Sequence, residues 1–201
     1  MSTISVVIGR CKSGKSSLVR ALTEGLVEKG TRVFIVRNAS VRCDWIDDSF
    51  SITPDKFKSL SSMLKFVEQL TKMDGKKVII FEDALSMFRK KELEEILRMM
   101  SIHRHTQTSF LIVTQTFKSL PNSIRSGEIS DDCTIYLSKQ GRAEVLKSIY
   151  QELPQFESLE ELKEMNRELE QYQFICIEKD EAYPIGFELS NFEVRGGVRR
   201  K

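Results

Sequence analysis

Long apolar runs are absent from this sequence. None approaches the ~18 residues that a helix needs to cross a bilayer, so we expect no membrane span. The N-terminus enters a strand-like stretch at once, and we therefore expect no signal peptide. Internal repeats and low-complexity segments are also missing, and 201 residues suffice for one domain with a sizeable core.

Net charge is nearly absent as well. The chain has 31 lysines and arginines against 29 aspartates and glutamates, a formal charge of +2. This balance excludes a bulk polyelectrolyte binder, so any contact with nucleic acid must come from local basic patches. Basic segments interleaved with aromatic residues are missing too, which argues against a platform that stacks single-stranded bases.

Cysteine pairs of the C-x-x-C kind do not occur. The four cysteines, Cys11, Cys43, Cys133 and Cys176, are scattered along the chain. This spacing disfavours a structural zinc site and predicts reduced thiols in a reducing cytoplasm.

A glycine-containing loop follows directly after the first apolar stretch. Residues 9–16 read GRCKSGKS and match G-x-x-x-x-G-K-[ST], the phosphate-binding P-loop. Strand formers precede the loop in residues 4–8, and residues 17–27 carry apolar side chains at helical spacing. This context disfavours a chance match in a flexible loop. The predicted nucleotide-binding residues are Gly9, Arg10, Cys11, Lys12, Ser13, Gly14, Lys15, Ser16 and Ser17.

Strands and helices alternate along the first part of the chain. Apolar runs predict further strands at 32–36, 78–81, 110–113 and 134–137, and amphipathic patterns predict helices at 55–72 and 85–100. The alternation predicts an α/β fold of the P-loop NTPase kind, a mainly parallel, doubly wound sheet flanked by helices.

The pattern changes after residue 140. A short helix is predicted at 141–151, a charged helix at 158–171, and a β-hairpin from 174–177 and 185–189. We expect residues 1–140 to form the ATPase core and residues 141–201 to form an extension packed on the same domain. The basic tail, residues 195–201, is expected to be mobile.

Two acids follow the third predicted strand, in the pattern called Walker B. By position, Glu82 holds Mg²⁺ together with the Ser16 hydroxyl, and Asp83 activates the attacking water. The commoner order is Asp before Glu, so which acid activates water stays open. The alternative is that the pair caps the following helix, with Asp83 at the N-cap.

Polar residues lie at both ends of the fourth predicted strand. Gln115 follows it, where a side chain can touch the γ-phosphate or its water, unless it is an ordinary strand-end residue. Residues 103–105 (HRH) precede it and form a solvated turn, a helix C-cap or a source of an arginine for a neighbouring subunit. The two histidines lack further ligands for zinc.

The segment 104–125, RHTQTSFLIVTQTFKSLPNSIR, carries a more specific signature. Together with the P-loop and the two acids, it resembles the FtsK–HerA superfamily, and within it the viral genome-packaging ATPases. The chain is similar to those of poxviruses, tectiviruses and the turreted icosahedral viruses of archaea. The resemblance covers residues 4–138. It departs from the family at Gly127, where relatives often have asparagine, and in the order of the two acids.

The resemblance implies both a mechanism and an assembly. Gln115 is then the sensor, Arg104 the arginine that acts in trans, and Arg125 a second arginine near the subunit boundary. It also implies that residues 110–113 lie between the P-loop strand and the Walker B strand. The implied catalytic residues are Lys15, Glu82, Asp83, Gln115 and Arg104.

The implied activity is ATP hydrolysis, with Mg²⁺, coupled to translocation of double-stranded DNA into a preformed procapsid. The subunits would form a ring, a pentamer or hexamer, docked at a capsid vertex in the cytoplasm of the infected host cell. In such a ring, basic clusters become a belt around a duplex without reading its sequence. Lys90, Lys91 and Arg125 are the candidate DNA contacts, although glutamates near the two lysines also suit a solvated helix face.

Other function classes remain open. A non-viral FtsK/HerA-like DNA or secretion motor fits the same motifs. A small P-loop kinase needs an arginine-rich lid, and residues 117–133 offer only Lys118 and Arg125. A GTPase needs a guanine-reading motif of the N-K-x-D type, which is missing. A nucleotide-binding scaffold without turnover would not need both acids and Lys15.

Overall fold

The fold is built on one mixed sheet. The computed structural model describes residues 4–39, 50–83, 85–125, 133–187 and 194–196, and these contain nine strands and seven α-helices. The strands are β1 (Ile4–Ile8), β2 (Arg32–Arg37), β3 (Ser51–Ile52), β4 (Lys77–Glu82), β5 (Thr108–Thr114), β6 (Cys133–Ser138), β7 (Gln173–Ile177), β8 (Ala182–Phe187) and β9 (Val194–Gly196). The helices are α1 (Lys15–Val27), α2 (Leu60–Thr71), α3 (Lys90–Ser101), α4 (His103–Thr106), α5 (Asn122–Arg125), α6 (Ala143–Glu152) and α7 (Leu159–Glu168).

The strand order is β3-β2-β4-β5-β1-β6-β7-β8-β9. The strands from β3 to β6 pair in parallel, whereas β7, β8 and β9 are antiparallel to their neighbours. The predicted mainly parallel, doubly wound sheet is therefore confirmed, and β5 lies between β1 and β4 as the resemblance implied. Because parallel strands end at the same edge, the carboxyl ends of β1, β4 and β5 meet there.

The central strands are buried on both faces. Along β1, Val6 and Ile8 belong to one apolar cluster and Val7 belongs to the other. This is the alternation that a strand produces when helices cover both sides of its sheet. The apolar runs in the sequence thus place β1 and β4 at the centre of the fold.

Two predicted helices begin later than expected. The helix predicted at 55–72 begins at Leu60, since Ser59 Oγ accepts a hydrogen bond from the Ser62 N–H at 3.1 Å and caps it. The helix predicted at 85–100 begins at Lys90, where Glu92 Oε2 accepts from the Arg89 N–H at 3.1 Å. The residues before each helix include short 3₁₀ turns, Pro54–Lys56 and Leu85–Met87.

The C-terminal part continues the same sheet, because β7 pairs antiparallel with β6. The predicted hairpin is present as β7 and β8, but β8 begins at Ala182 rather than at residue 185. The charged helix predicted at 158–171 is α7 and ends at Glu168. Arg195 and Gly196, predicted in a mobile tail, belong to β9, a correction that leaves residues 197–201 outside the described part.

Cys11, Cys133 and Cys176 are free thiols, and Cys43 lies outside the described residues. Within the described residues, no helix combines the length and the apolar character needed to cross a membrane.

Candidate nucleotide-binding site

The P-loop joins the end of β1 to the start of α1. The Gly9 N–H donates to the Thr114 carbonyl oxygen at 3.1 Å, which anchors the loop to the end of β5. The backbone turns through left-handed conformations at Lys12 (φ 64°) and Gly14 (φ 88°), and the Ser13 N–H donates to the Arg10 carbonyl oxygen at 3.2 Å. Gly14 adopts such a conformation without steric cost because it has no Cβ.

Gly9 is closely packed. A Cβ built on it would lie 2.3 Å from both Ser13 Oγ and Ser138 Oγ. Real Cβ atoms do not approach other atoms so closely, so a larger residue would force these serine side chains or the loop itself to shift. The loop is therefore pressed against the end of β6, on the opposite side of β1 from β5.

Lys15, the first residue of α1, is the cation whose side chain the loop carbonyls bind. Its side chain is buried, and Nζ donates to the carbonyl oxygens of Gly9 at 2.8 Å and of Arg10 at 3.0 Å. The first N–H groups of an α-helix have no intrahelical partners, and Gly14 at the N-cap offers no side chain to satisfy them. A lysine ammonium beside a helix N-terminus is a site for an anion such as a phosphate chain.

Oxygen ligands for a metal lie beside the loop. Ser16 Oγ donates to Glu82 Oε1 at 3.2 Å, and Glu82 is buried at the end of β4. Mg²⁺ commonly binds one or two protein oxygens and completes its shell with phosphate oxygens and water. These residues fit Mg²⁺ for that reason. Among the described residues, no group of three or more histidines, cysteines or acids is arranged to hold a metal ion.

Asp83 and Gln115 join the tips of β4 and β5. Asp83 has φ 46°, its N–H donates to the Val113 carbonyl oxygen at 2.9 Å, and its Oδ2 accepts from Gln115 Nε2 at 3.3 Å. A left-handed aspartate is uncommon, and it aims this carboxylate along the sheet edge towards the amide. The alternative that Asp83 caps the following α-helix is wrong, because the N-cap of α3 is Arg89.

The structure brings five of the predicted residues to one edge of the sheet, namely Lys15, Ser16, Glu82, Asp83 and Gln115. Arg104 is at the opposite edge, within α4, which precedes β5. The seven residues of β5 separate α4 from the site, a distance of about 20 Å at ~3.3 Å per residue. Arg104 is therefore remote from the P-loop of its own chain.

Arg125 is engaged within the chain. Its guanidinium donates to Glu152 and to Asn122 and lies over the Phe117 ring, with the Cζ atom 5.7 Å from the ring centroid. The side chain is only 16% exposed, so little of it is available to a DNA phosphate. Lys90 and Lys91 begin α3, and Lys91 is exposed.

Ser138 is a site residue that sequence reasoning missed. It ends β6, its hydroxyl is buried against Gly9, and that hydroxyl has no hydrogen-bond partner among the residues that the structure describes. It could have been found from its position, because it follows the fifth predicted strand much as Gln115 follows the fourth. Gln140 and Asn166, which support this segment, gave no local signal because their contact spans 26 residues.

The strand–loop–helix, Glu82 and Asp83 at the end of β4 and Gln115 after β5 together define a P-loop NTPase. The chain belongs to the Poxvirus A32 protein family, whose model matches residues 3–183. This confirms the predicted resemblance to the viral genome-packaging ATPases of the FtsK–HerA superfamily. No curated protein sequence matches the chain.

Solved structures share this fold at low sequence identity. The DNA-packaging ATPase B204 of Sulfolobus turreted icosahedral virus is 17% identical, with a TM-score of 0.64 and 98% coverage of both chains. The genome-packaging NTPase B204 of Sulfolobus turreted icosahedral virus 2, in complex with AMPPCP, is 18% identical, with a TM-score of 0.61, and covers 98% of this chain and 99% of its own. The cytoplasmic domain of the type VII secretion ATPase EccC of Thermomonospora curvata is 11% identical, with a TM-score of 0.60, and the match covers all of this chain and 24% of that domain.

Proposed function

We propose that this protein is a Mg²⁺-dependent ATPase that moves double-stranded DNA into a preformed viral procapsid. The observation that carries the proposal is the single cluster formed by Lys15, Ser16–Glu82 and Asp83–Gln115 at one sheet edge. Membership of the Poxvirus A32 family and the fold shared with B204 support the packaging role. The working form is a pentameric or hexameric ring at a capsid vertex, in the cytoplasm of the infected host cell.

Each residue of the cluster has a defined task. Lys15 exchanges its bonds to the loop carbonyls for oxygens of the β- and γ-phosphates, and the N-terminus of α1 stabilises the same negative charge. Ser16 and Glu82 would hold Mg²⁺, which would neutralise charge that develops on the phosphates. Gln115 donates to Asp83 and thereby orients this carboxylate, which positions and deprotonates the attacking water.

Arg104 acts on the nucleotide of a neighbouring subunit. The length of β5 separates it from its own P-loop, so a catalytic role for it requires a second copy of the chain. An arginine supplied in this way is worth about 10³–10⁵ in turnover rate where it has been measured. Ring formation and full activity are therefore coupled in this proposal.

DNA is held through its phosphates, independently of its sequence. Lys90 and Lys91 at the start of α3 are the leading candidates for this contact. Arg125 is the weaker candidate because Glu152 and Asn122 already engage its guanidinium. Binding of this kind weakens steeply with salt, since each neutralised phosphate releases counterions.

The deciding experiment is steady-state ATP hydrolysis against protein concentration, with and without long double-stranded DNA. A rate per subunit that rises with both concentration and DNA supports a ring motor. A rate per subunit that is flat and insensitive to DNA contradicts the proposal and favours a self-contained enzyme such as a small kinase. A screen of phosphate acceptors would then identify its substrate.

A further inference from the structure

The segment that follows β6 is hydrogen-bonded to α7 and to the residue after it. The Gln140 N–H donates to Asn166 Oδ1 at 2.7 Å, and Asn166 Nδ2 donates to the Gln140 carbonyl oxygen at 3.0 Å. One buried side-chain amide thus satisfies both backbone groups of Gln140, as a neighbouring strand would. Lys139 adds a second link, because its Nζ donates to the carbonyl oxygens of Arg167 at 3.0 Å and Leu169 at 2.7 Å, at the end of α7.

The same segment contacts the P-loop on its other side. Ser138 packs against Gly9, and a Cβ placed on Gly141 would lie 3.0 Å from Nη1 of Arg10. Gly9 and Arg10 supply the two carbonyl oxygens that bind Lys15 Nζ. A continuous series of contacts therefore runs from α7, through residues 138–141, to the lysine that binds phosphate.

We propose that Asn166 is a positioning residue for ATP binding, which acts through Gln140 on the P-loop. It holds residues 138–141 in a fixed position beside the P-loop, so that the loop keeps its shape when Lys15 leaves the carbonyls for a phosphate chain. Because these residues are already ordered before ATP binds, binding does not carry the free-energy cost of ordering them. The inference rests on ATP binding at the P-loop, but neither on ring formation nor on DNA transport.

The coupling is reciprocal. If Asn166 raises the affinity for ATP, then bound ATP stabilises the contact between Asn166 and Gln140 by the same free energy. The stability of the contact between α7 and Gln140 therefore depends on whether the P-loop is occupied. A purely structural asparagine would stabilise the occupied and the empty protein equally.

The first test compares Asn166→Ala with two variants on the same helix. Leu162→Ala removes a fully buried core side chain that, being apolar, takes no part in the hydrogen bonds to Lys139 and Gln140, and Lys163→Ala removes an exposed ion pair with Glu160. We expect Asn166→Ala to raise the dissociation constant for AMPPCP and the KM for ATP by roughly ten-fold. Its kcat at saturating ATP should stay within about two-fold of wild type, because the reacting groups are untouched.

The Leu162→Ala variant should lower the melting temperature at least as much and leave the dissociation constant near that of wild type. Equal losses of affinity in both variants, or wild-type affinity in Asn166→Ala, would overturn the inference. If Asn166→Ala does not fold, hydrogen exchange on the wild-type protein decides instead. AMPPCP should slow exchange of the Gln140 amide, and an unchanged rate would overturn the inference.

The wild-type titration separates this inference from the proposed function. Failure of the wild-type protein to bind AMPPCP contradicts ATP binding itself. Wild-type binding that is unaffected by Asn166→Ala contradicts only the positioning role.

Discussion

Gln115, at the tip of β5, donates a hydrogen bond from Nε2 to Oδ2 of Asp83, at the tip of β4, over 3.3 Å. Glu82, the residue before Asp83, instead accepts from the Ser16 hydroxyl. The two adjacent acids thus face different partners, Asp83 the Gln115 amide and Glu82 the Ser16 hydroxyl. The sequence predicts metal binding for Glu82 and water activation for Asp83 from their positions, and this assignment stays a prediction.

The two acids should respond differently to neutralisation. Asp83→Asn should keep ATP affinity and lower kcat by roughly 10²-fold or more, because the base that activates water is lost. Glu82→Gln should instead raise the Mg²⁺ concentration needed for activity, because a metal ligand is lost. Titrations of ATP and Mg²⁺ measure both effects, and Asp180→Asn, in the exposed turn between β7 and β8, is the matched control. Identical profiles for the two variants would contradict the assignment.

Arg104→Ala should bind ATP yet barely hydrolyse it, because it lacks the arginine that we propose to serve the neighbouring site. Lys15→Ala should not turn over at all, since it lacks the phosphate-binding cation. Mixing the two proteins should restore part of the activity, because some interfaces then pair an intact P-loop with an intact arginine. Hydrolysis rates of the mixture against each variant alone measure this. No restoration, with assembly verified by light scattering, would refute the role in trans.

Arg125→Ala should destabilise the fold by about 1–3 kcal/mol, since it leaves the partly buried Glu152 carboxylate without its arginine. Urea unfolding measures the change. Arg98→Ala is the matched control, because Arg98 is 56% exposed and its pair with Glu68 should be worth about 1 kcal/mol or less. Unchanged stability of Arg125→Ala, combined with weaker and less salt-sensitive DNA binding, would instead support a DNA contact.

Lys77 should make stability depend on pH. It is 1% exposed, and its Nζ donates to the carbonyl oxygens of Gly75 at 2.9 Å and Thr106 at 2.7 Å. Desolvation by burial lowers the pKa of Lys77 below its ordinary value of 10.5. Between the lowered pKa and 10.5 the unfolded chain binds more protons than the folded one, so Lys77 makes the free energy of unfolding rise with pH.

Lys77→Met should remove that rise and cost about 1–3 kcal/mol at neutral pH, where two carbonyls lose their donor. Urea unfolding at pH 8 and pH 10 measures both effects. Lys76→Met, at the exposed neighbouring position, is the control. A wild-type protein whose pH dependence matches that of Lys77→Met would contradict the role of burial.

The sequence predicted the centre of the molecule well, because its signals there are local. The P-loop pattern and the apolar runs placed β1, β4, β5 and β6, and the resemblance to packaging ATPases placed β5 beside β1. The starts of α2 and α3 were missed because an apolar stripe does not reveal where Ser59 or Glu92 closes a capping interaction. The pair Asn166–Gln140 was missed because only tertiary folding brings it together.

The hydrogen bonding that joins all the described strands, from β3 to β9, also has a mechanical consequence. β1, which bears the P-loop, is flanked in register by β5 and β6, with Ile8 opposite both Thr114 and Leu137. Hydrogen bonds between neighbouring strands resist shear, so this sheet is stiff. If the protein is the ring motor proposed above, its power stroke is then expected to tilt whole subunits against one another rather than to bend the sheet.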